Sequence, residues 1–172
     1  MSVPRHIEAR LASIKILVVD DHHHMRKVVR TMLTALGFRN IYEASDGAAG
    51  LDAVLKLSPD VVIVDWDMPL IDGLQFIQMV RSPDEFPNPD VPIILLTGHG
   101  DHWRVKEAAR FGVHEFLLKP VSTKALLDRI VAMLERPRQM MRFDGCYVPV
   151  PRRLVVLDAD TPEPGDDALL LR

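Results

Sequence analysis

Cysteine is almost missing from this chain of 172 residues: Cys146 stands alone. An internal disulfide framework is thereby excluded, and a reducing compartment suits the chain. Missing too is any apolar run near the ~20 residues that a membrane-spanning helix needs. The first twelve residues carry Arg5, Glu8 and Arg10 in place of the apolar stretch of a signal peptide. A soluble, cytoplasmic protein with no membrane attachment is expected. Neither sign of charge dominates: 21 basic against 24 acidic residues leave a formal net charge of −3. No electrostatic reason remains to expect direct DNA binding or an anionic membrane as a partner. Internal repeats are absent as well. What the chain does have is 48% hydrophobic and 26% charged residues, the composition of an ordinary globular domain with a full core.

Four hydrophobic runs each end on a polar residue. Ile16–Val19 runs into Asp20 and Asp21, Val61–Val64 into Asp65, Ile93–Leu96 into Thr97, and Phe116–Leu118 into Lys119. Continuous Val/Ile/Leu runs are expected of strands buried on both faces of a parallel sheet. In open parallel sheets the crevice beyond the carboxyl ends of the strands is where ligands bind. Three carboxylates, a hydroxyl and an ammonium are therefore expected on one patch.

Helical periodicity fills the gaps between these runs. Met25, Val28, Val29, Met32, Leu33 and Leu36 recur at three- and four-residue steps, and Gly37 closes that helix. Ile41 and Ala44 mark a short strand, and Leu51, Val54 and Leu55 a second helix that breaks at Ser58-Pro59-Asp60. A third helix is predicted near Leu74 to Arg81, a fourth from Trp103 to Phe111 ending at Gly112, and a fifth beginning at Ser122 or Thr123. Prolines at 83, 87, 89 and 92 exclude regular pairing in the loop before the fourth run. Strand and helix thus alternate five times, which argues for a parallel sheet with helices on both faces.

The order and spacing of Asp20-Asp21, Asp65, Thr97 and Lys119-Pro120, with Asp67-Met68-Pro69 and Asp72-Gly73 after Asp65, resemble the receiver domain of two-component response regulators, the CheY-like family. The resemblance covers roughly residues 12–136. It implies a flavodoxin-like (βα)5 fold with strand order 2-1-3-4-5, an order that periodicity cannot supply.

It also implies roles. Asp65 is the expected phosphoacceptor, a nucleophile that becomes an acyl phosphate. Asp20, Asp21 and Asp65 make a hard-oxygen cluster suited to Mg²⁺, and the backbone carbonyl of Asp67 completes the metal site in the family. Lys119 supplies a compact positive charge to the phosphate and Thr97 a hydroxyl. Phe116 stands where the family has its switch aromatic, and His99 and Asp67 at positions that tune hydrolysis. The implied partners are a sensor histidine kinase or histidine phosphotransfer protein, and a downstream protein that reads the face of helix 4, strand 5 and helix 5. A homodimer is a further form of output. The protein is expected to be no enzyme beyond catalysing its own Mg²⁺-dependent phosphorylation and dephosphorylation.

Each residue has a plainer reading. Asp21 can cap the first helix, Phe116 can be ordinary core, and Trp66 and Trp103 read as packing residues. His22-His23-His24 invites a metal reading, but three consecutive helical residues point in three directions, so a solvated helix start is favoured. A haloacid-dehalogenase-type phosphatase also uses an Asp-x-Asp pair, a Thr and a Lys. There, however, the second acid pair follows the Lys, whereas Asp20-Asp21 comes first. Residues 1–12 are set aside as an N-terminal segment and 13–136 as the receiver domain. Residues 137–172 form a Pro-rich extension without its own core and too short for a DNA-binding output domain. Within that extension Val148, Val150 and Leu154 to Leu157 suit a strand lying on the receiver or on a partner.

Overall fold

The computed structural model describes residues 9–82, 86–98, 106, 108–143 and 146–150. Five strands, β1 (Lys15–Val19), β2 (Asn40–Ala44), β3 (Val61–Asp65), β4 (Ile93–Thr97) and β5 (Glu115–Leu118), pair in parallel in the order β2-β1-β3-β4-β5. Helices α1 (His23–Ala35), α2 (Gly47–Leu57) and α3 (Gly73–Val80) make the first three crossovers, and α5 (Thr123–Glu135) follows β5. Residues 108–110, the described end of α4, provide the fourth. This is the doubly wound, flavodoxin-like receiver architecture.

Alternation along the strands sorts two cores. Leu17, Val19, Val62, Val64, Ile93 and Leu95 face α2, α3 and α4, where they meet Leu51, Val54, Phe76, Ile77 and Ala108. Ile16, Val18, Ile63, Ile94, Leu96 and Leu117 face α1 and α5, where they meet Val29, Leu33, Leu126 and Ile130. With both faces covered, β3 and β4 are buried along their whole length. That is why these runs are apolar throughout instead of alternating.

Local chemistry sets the helix ends. The Asp46 carboxylate accepts from the Ala49 N–H at 2.8 Å and opens α2. Asp72 and Gln75 form a reciprocal capping box on α3, at 2.8 and 3.0 Å. The box starts α3 at Gly73, one residue before the sequence expectation. Only glycine fits there: a Cβ at Gly73 would lie 2.4 Å from the Asp65 carbonyl oxygen. Ser122 caps α5, accepting from the Ala125 N–H at 3.1 Å. Gly37 ends α1 at φ +100, a left-handed conformation that favours glycine. Gly112 (φ +91) ends α4. Trp103, placed in the fourth helix by periodicity, lies outside the described residues.

After α5 the chain makes an antiparallel hairpin, β6 (Met140–Phe143) and β7 (Cys146–Pro149). Val148 belongs to the second strand, as its sequence suggested; Val150 lies just beyond it, and Leu154 to Leu157 fall outside the described residues. Periodicity did not reveal β6, because its described side chains are mostly solvent-facing. The hairpin and the residues leading into it are tied to the rest of the domain: Tyr147 N–H donates to the Arg81 carbonyl at 3.1 Å, and Arg138 Nη1 to the His114 carbonyl at 3.2 Å. Val148 is buried. Among the described residues, no helix is long and apolar enough to cross a membrane.

Candidate functional site

Asp65 is the last residue of β3 and Thr97 the last of β4, while Asp20, Asp21 and Lys119 follow directly on β1 and β5. The chain leaves β1 towards β2 on one side and β3 towards β4 on the other, so the crevice opens between the β1 and β3 ends. By alternation Asp20, Asp65 and Lys119 continue the rows that face α1 and α5. Lys119 Nζ stands 2.8 Å from Asp65 Oδ1 and 3.5 Å from Asp20 Oδ2.

Asp20 and Asp65 are almost closed to solvent, at 1% and 2% exposure. The Asp20 carboxylate is held through Oδ1, which accepts the His22 backbone N–H at 2.7 Å. Arg26 clamps the strand end from below, donating to the Asp20 carbonyl at 2.6 Å while its Nε pairs with Glu43 at 3.6 Å. Asp20 Oδ2, Asp21 Oδ1 and Asp65 Oδ1 are shielded, and none has a well-directed hydrogen bond. Opposite them stand the Lys119 ammonium and the His22 ring, whose Nδ1 lies 2.9 Å from Asp21 Oδ1. One atom from each of Asp20, Asp21, His22 and Asp65 falls within 4.8 Å of the others.

Electrostatics follow from this crowding. Burial pushes the Asp65 carboxyl above its ordinary value; Lys119 opposes the rise and the Asp20 charge adds to it. For Lys119, burial works against the charge, yet contact with Asp65 and Asp20 outweighs it and raises the ammonium's pKa. Unsatisfied, nearly buried carboxylate oxygens facing one point suit a hard divalent cation such as Mg²⁺, which takes oxygen ligands and retains water.

The remaining candidates are distributed around this centre. Thr97 is buried and falls on the opposite row from Asp65, with Leu95. Leu95 pairs with Phe116, so Thr97 and Phe116 share the sheet face that α4 covers. Phe116 is only partly buried. Asp67 is exposed on the loop after β3. That loop is folded back by Gly73 N–H donating to the Trp66 carbonyl at 2.9 Å. Trp66 packs in the core, as its sequence reading had it. His99 lies outside the described residues. Sequence reasoning passed over Arg26 and over Arg81, a fully buried arginine. Arg81 donates to the Gly112 carbonyl at 3.0 Å and the Pro89 carbonyl at 2.6 Å, and meets His114 Nδ1 at 3.1 Å. Arginine only donates, so that imidazole nitrogen is the acceptor. Burial lowers the guanidinium pKa to about 9, against the Asp90 charge, and leaves it charged at neutral pH. An isolated Arg at a helix end carries no signal of this in sequence.

Fold and site define a doubly wound α/β domain with an acidic, lysine-bearing pocket at its switch point. Residues 16–131 match the model of the response regulator receiver domain. The chemotaxis protein CheY-3 of Vibrio cholerae is 33% identical over 124 residues, covering 72% of this chain and 94% of that protein. The chemotaxis protein CheY of Pseudomonas aeruginosa is 32% identical, covering 72% and 98%. The solved receiver domain protein from Clostridium thermocellum superposes with a TM-score of 0.65 at 31% identity, over 72% of this chain and 95% of that one. The chain belongs to the response regulator receiver family: it is a CheY-like, phosphoaccepting domain of two-component signalling. Such domains are signalling modules and not classical enzymes, so the phosphatase alternative falls away.

Proposed function

We propose that the domain takes a phosphoryl group on Asp65 from a phosphohistidine of a sensor kinase or histidine phosphotransfer protein and passes the signal to a protein partner. The observation that carries this reading is the contact of Lys119 Nζ with Asp65 Oδ1 at 2.8 Å, beside the Asp20 and Asp21 carboxylates. An Asp65 oxygen attacks phosphorus, the phosphorus–nitrogen bond breaks, and the bond electrons leave with the donor imidazole, which is protonated. Transfer of this kind depends on positioning and on neutralising charge over the equatorial oxygens. Lys119 meets part of that charge, and the Thr97 hydroxyl donates to a phosphate oxygen. Asp20, Asp21, Asp65 and the Asp67 carbonyl would hold Mg²⁺, which supplies the remaining positive charge when bound.

Output runs through Thr97 and Phe116. As the Thr97 hydroxyl is drawn towards the phosphate, space opens on the face under α4, and the partly buried Phe116 ring turns to fill it. The face of α4, β5 and α5 then changes what it presents to a target protein or to a second copy of the chain. The setting is the cytoplasm. The test is to incubate the protein with Mg²⁺ and a small-molecule phosphodonor, and then to locate the label by mass spectrometry. A hydroxylamine-labile phosphate on Asp65, absent from Asp65→Asn, supports the reading; persistent label on another residue refutes it. A phosphotransfer profile across the host's kinases then identifies the donor.

A further inference from the structure

We infer that His22 is a fourth side-chain ligand of the acidic site, and that its imidazole makes this a mixed nitrogen–oxygen site preferring a first-row transition dication over Mg²⁺. The inference rests on the metal site proposed above and adds a residue of this chain to it.

His22 occupies the N-cap position of α1, yet its ring makes no capping hydrogen bond. Its backbone carbonyl accepts the Arg26 N–H at 3.1 Å, the first bond of the helix, while its own N–H is spent on Asp20 Oδ1. The ring instead turns back over the strand end, with Nδ1 2.9 Å from Asp21 Oδ1 and 3.6 Å from Asp20 Oδ1. Two ligands each ~2.1 Å from one metal and at right angles stand ~3 Å apart, so the 2.9 Å separation already suits adjacent coordination positions. Across a metal the separation is ~4.2 Å, so a set spanning 4.8 Å needs to draw in only slightly. Independently of the histidine, Asp20 Oδ2 and Asp65 Oδ1 lie on nearly buried side chains; Asp20 Oδ2 has no directed hydrogen bond, and the two share one cation, Lys119 Nζ, at 3.5 and 2.8 Å. His22 is largely exposed, so its ring can make that adjustment without disturbing the core.

The chemistry of preference follows from ligand type. Mg²⁺ binds oxygen and keeps its waters, so a nearby imidazole adds nothing to its affinity. Imidazole suits Ni²⁺, Zn²⁺ and their neighbours, and affinity for a given site rises along the series from Mn²⁺ to Cu²⁺. Adjacent His23 is a built-in control: its Nδ1 lies 3.4 Å from Arg26 Nη2, away from the acidic cluster.

The test uses the full chain without phosphodonor. Mn²⁺ is bound and pulsed electron paramagnetic resonance is searched for ¹⁴N coupling from a coordinated imidazole. Ni²⁺ and Mg²⁺ are titrated separately through the fluorescence of the tryptophans, one of which, Trp66, adjoins Asp65. Nitrogen coupling in wild type and in His23→Ala, lost in His22→Ala, is the expected result. With it, Ni²⁺ affinity should fall about tenfold or more in His22→Ala while Mg²⁺ affinity stays unchanged. Circular dichroism of His22→Ala checks that the fold is retained. If Mn²⁺ binding needs Asp21 but shows no nitrogen coupling, the His22 contact is only a hydrogen bond; this inference fails and the oxygen site stands. If Asp21→Ala leaves metal binding untouched, both the inference and the proposed metal site fail.

Discussion

Asp65 and Lys119 show how a reactive residue is held at a cost to the fold. Burial comes first, lifting the Asp65 carboxyl above 3.8, and Lys119 only partly opposes it. The folded state therefore keeps the proton to a higher pH than the unfolded chain does. Stability falls as pH rises from about 4 through the folded pKa, and the loss is complete once Asp65 is ionised in both states. Asp65→Asn should thus melt above wild type at pH 7, while Lys119 retains Asp20 as its partner. The advantage should shrink on acidification towards the ordinary carboxyl value of 3.8, below which the wild-type carboxyl is protonated in both states. Thermal melts of the two proteins across pH 4 to 8 decide this; an advantage that widened on acidification would contradict the sign. Lys119 has the opposite sense: its raised pKa means that its stabilising contribution is whole at neutral pH and lost only in strong base.

At the scale of elements, register is what couples the phosphorylation end to an output face. Thr97 ends β4 two pairs beyond Leu95↔Phe116, on the same sheet face. A shift of one residue would have put Phe116 on the α5 side, where it could not respond to Thr97. Thr97→Ala should still accept phosphate on Asp65 but lose the phosphodonor-dependent change in sedimentation or partner binding. Phe116→Ala should uncouple the same step. Its ring is only partly buried, so truncation should cost about 2 kcal/mol and not the larger loss of a fully enclosed ring. Wild-type responses from both variants would move the switch elsewhere, to the loop after Asp65 or to the hairpin. The four apolar runs and their polar ends were readable in order because a doubly covered parallel sheet requires uninterrupted Val, Ile and Leu. The start of α3 was misjudged by one residue because the Asp72–Gln75 box, and not hydrophobic periodicity, sets it.

Across the whole molecule, Arg81 gathers the end of the sheet opposite the acidic site. Its side chain spans the loop before β4 and the turn before β5, and its carbonyl receives the hairpin's Tyr147. Residues 1–136 are expected to fold alone, but the segment after them contributes burial of Val148 and two hydrogen bonds, from Tyr147 and Arg138, to the receiver. Truncation after residue 136 should retain cooperative unfolding while losing about 3 kcal/mol, or roughly 10 °C in melting temperature. Loss of cooperativity in calorimetry would instead make the hairpin part of the core.

What the linear order of residues determined by itself is the layer pattern and the chemistry at the strand ends. An apolar run followed by an acid, a hydroxyl or a lysine is a local property, written at one place in the chain. What only tertiary structure decided is which of those ends touch. The 2.8 Å contact of Lys119 with Asp65, the shared face of Thr97 and Phe116, and the turn of His22 over Asp21 depend on strand order and register. The same holds for Arg81, whose acceptors lie 8, 31 and 33 residues away along the chain. No local pattern encodes such contacts, because each arises from packing the sheet and its crossovers into one core.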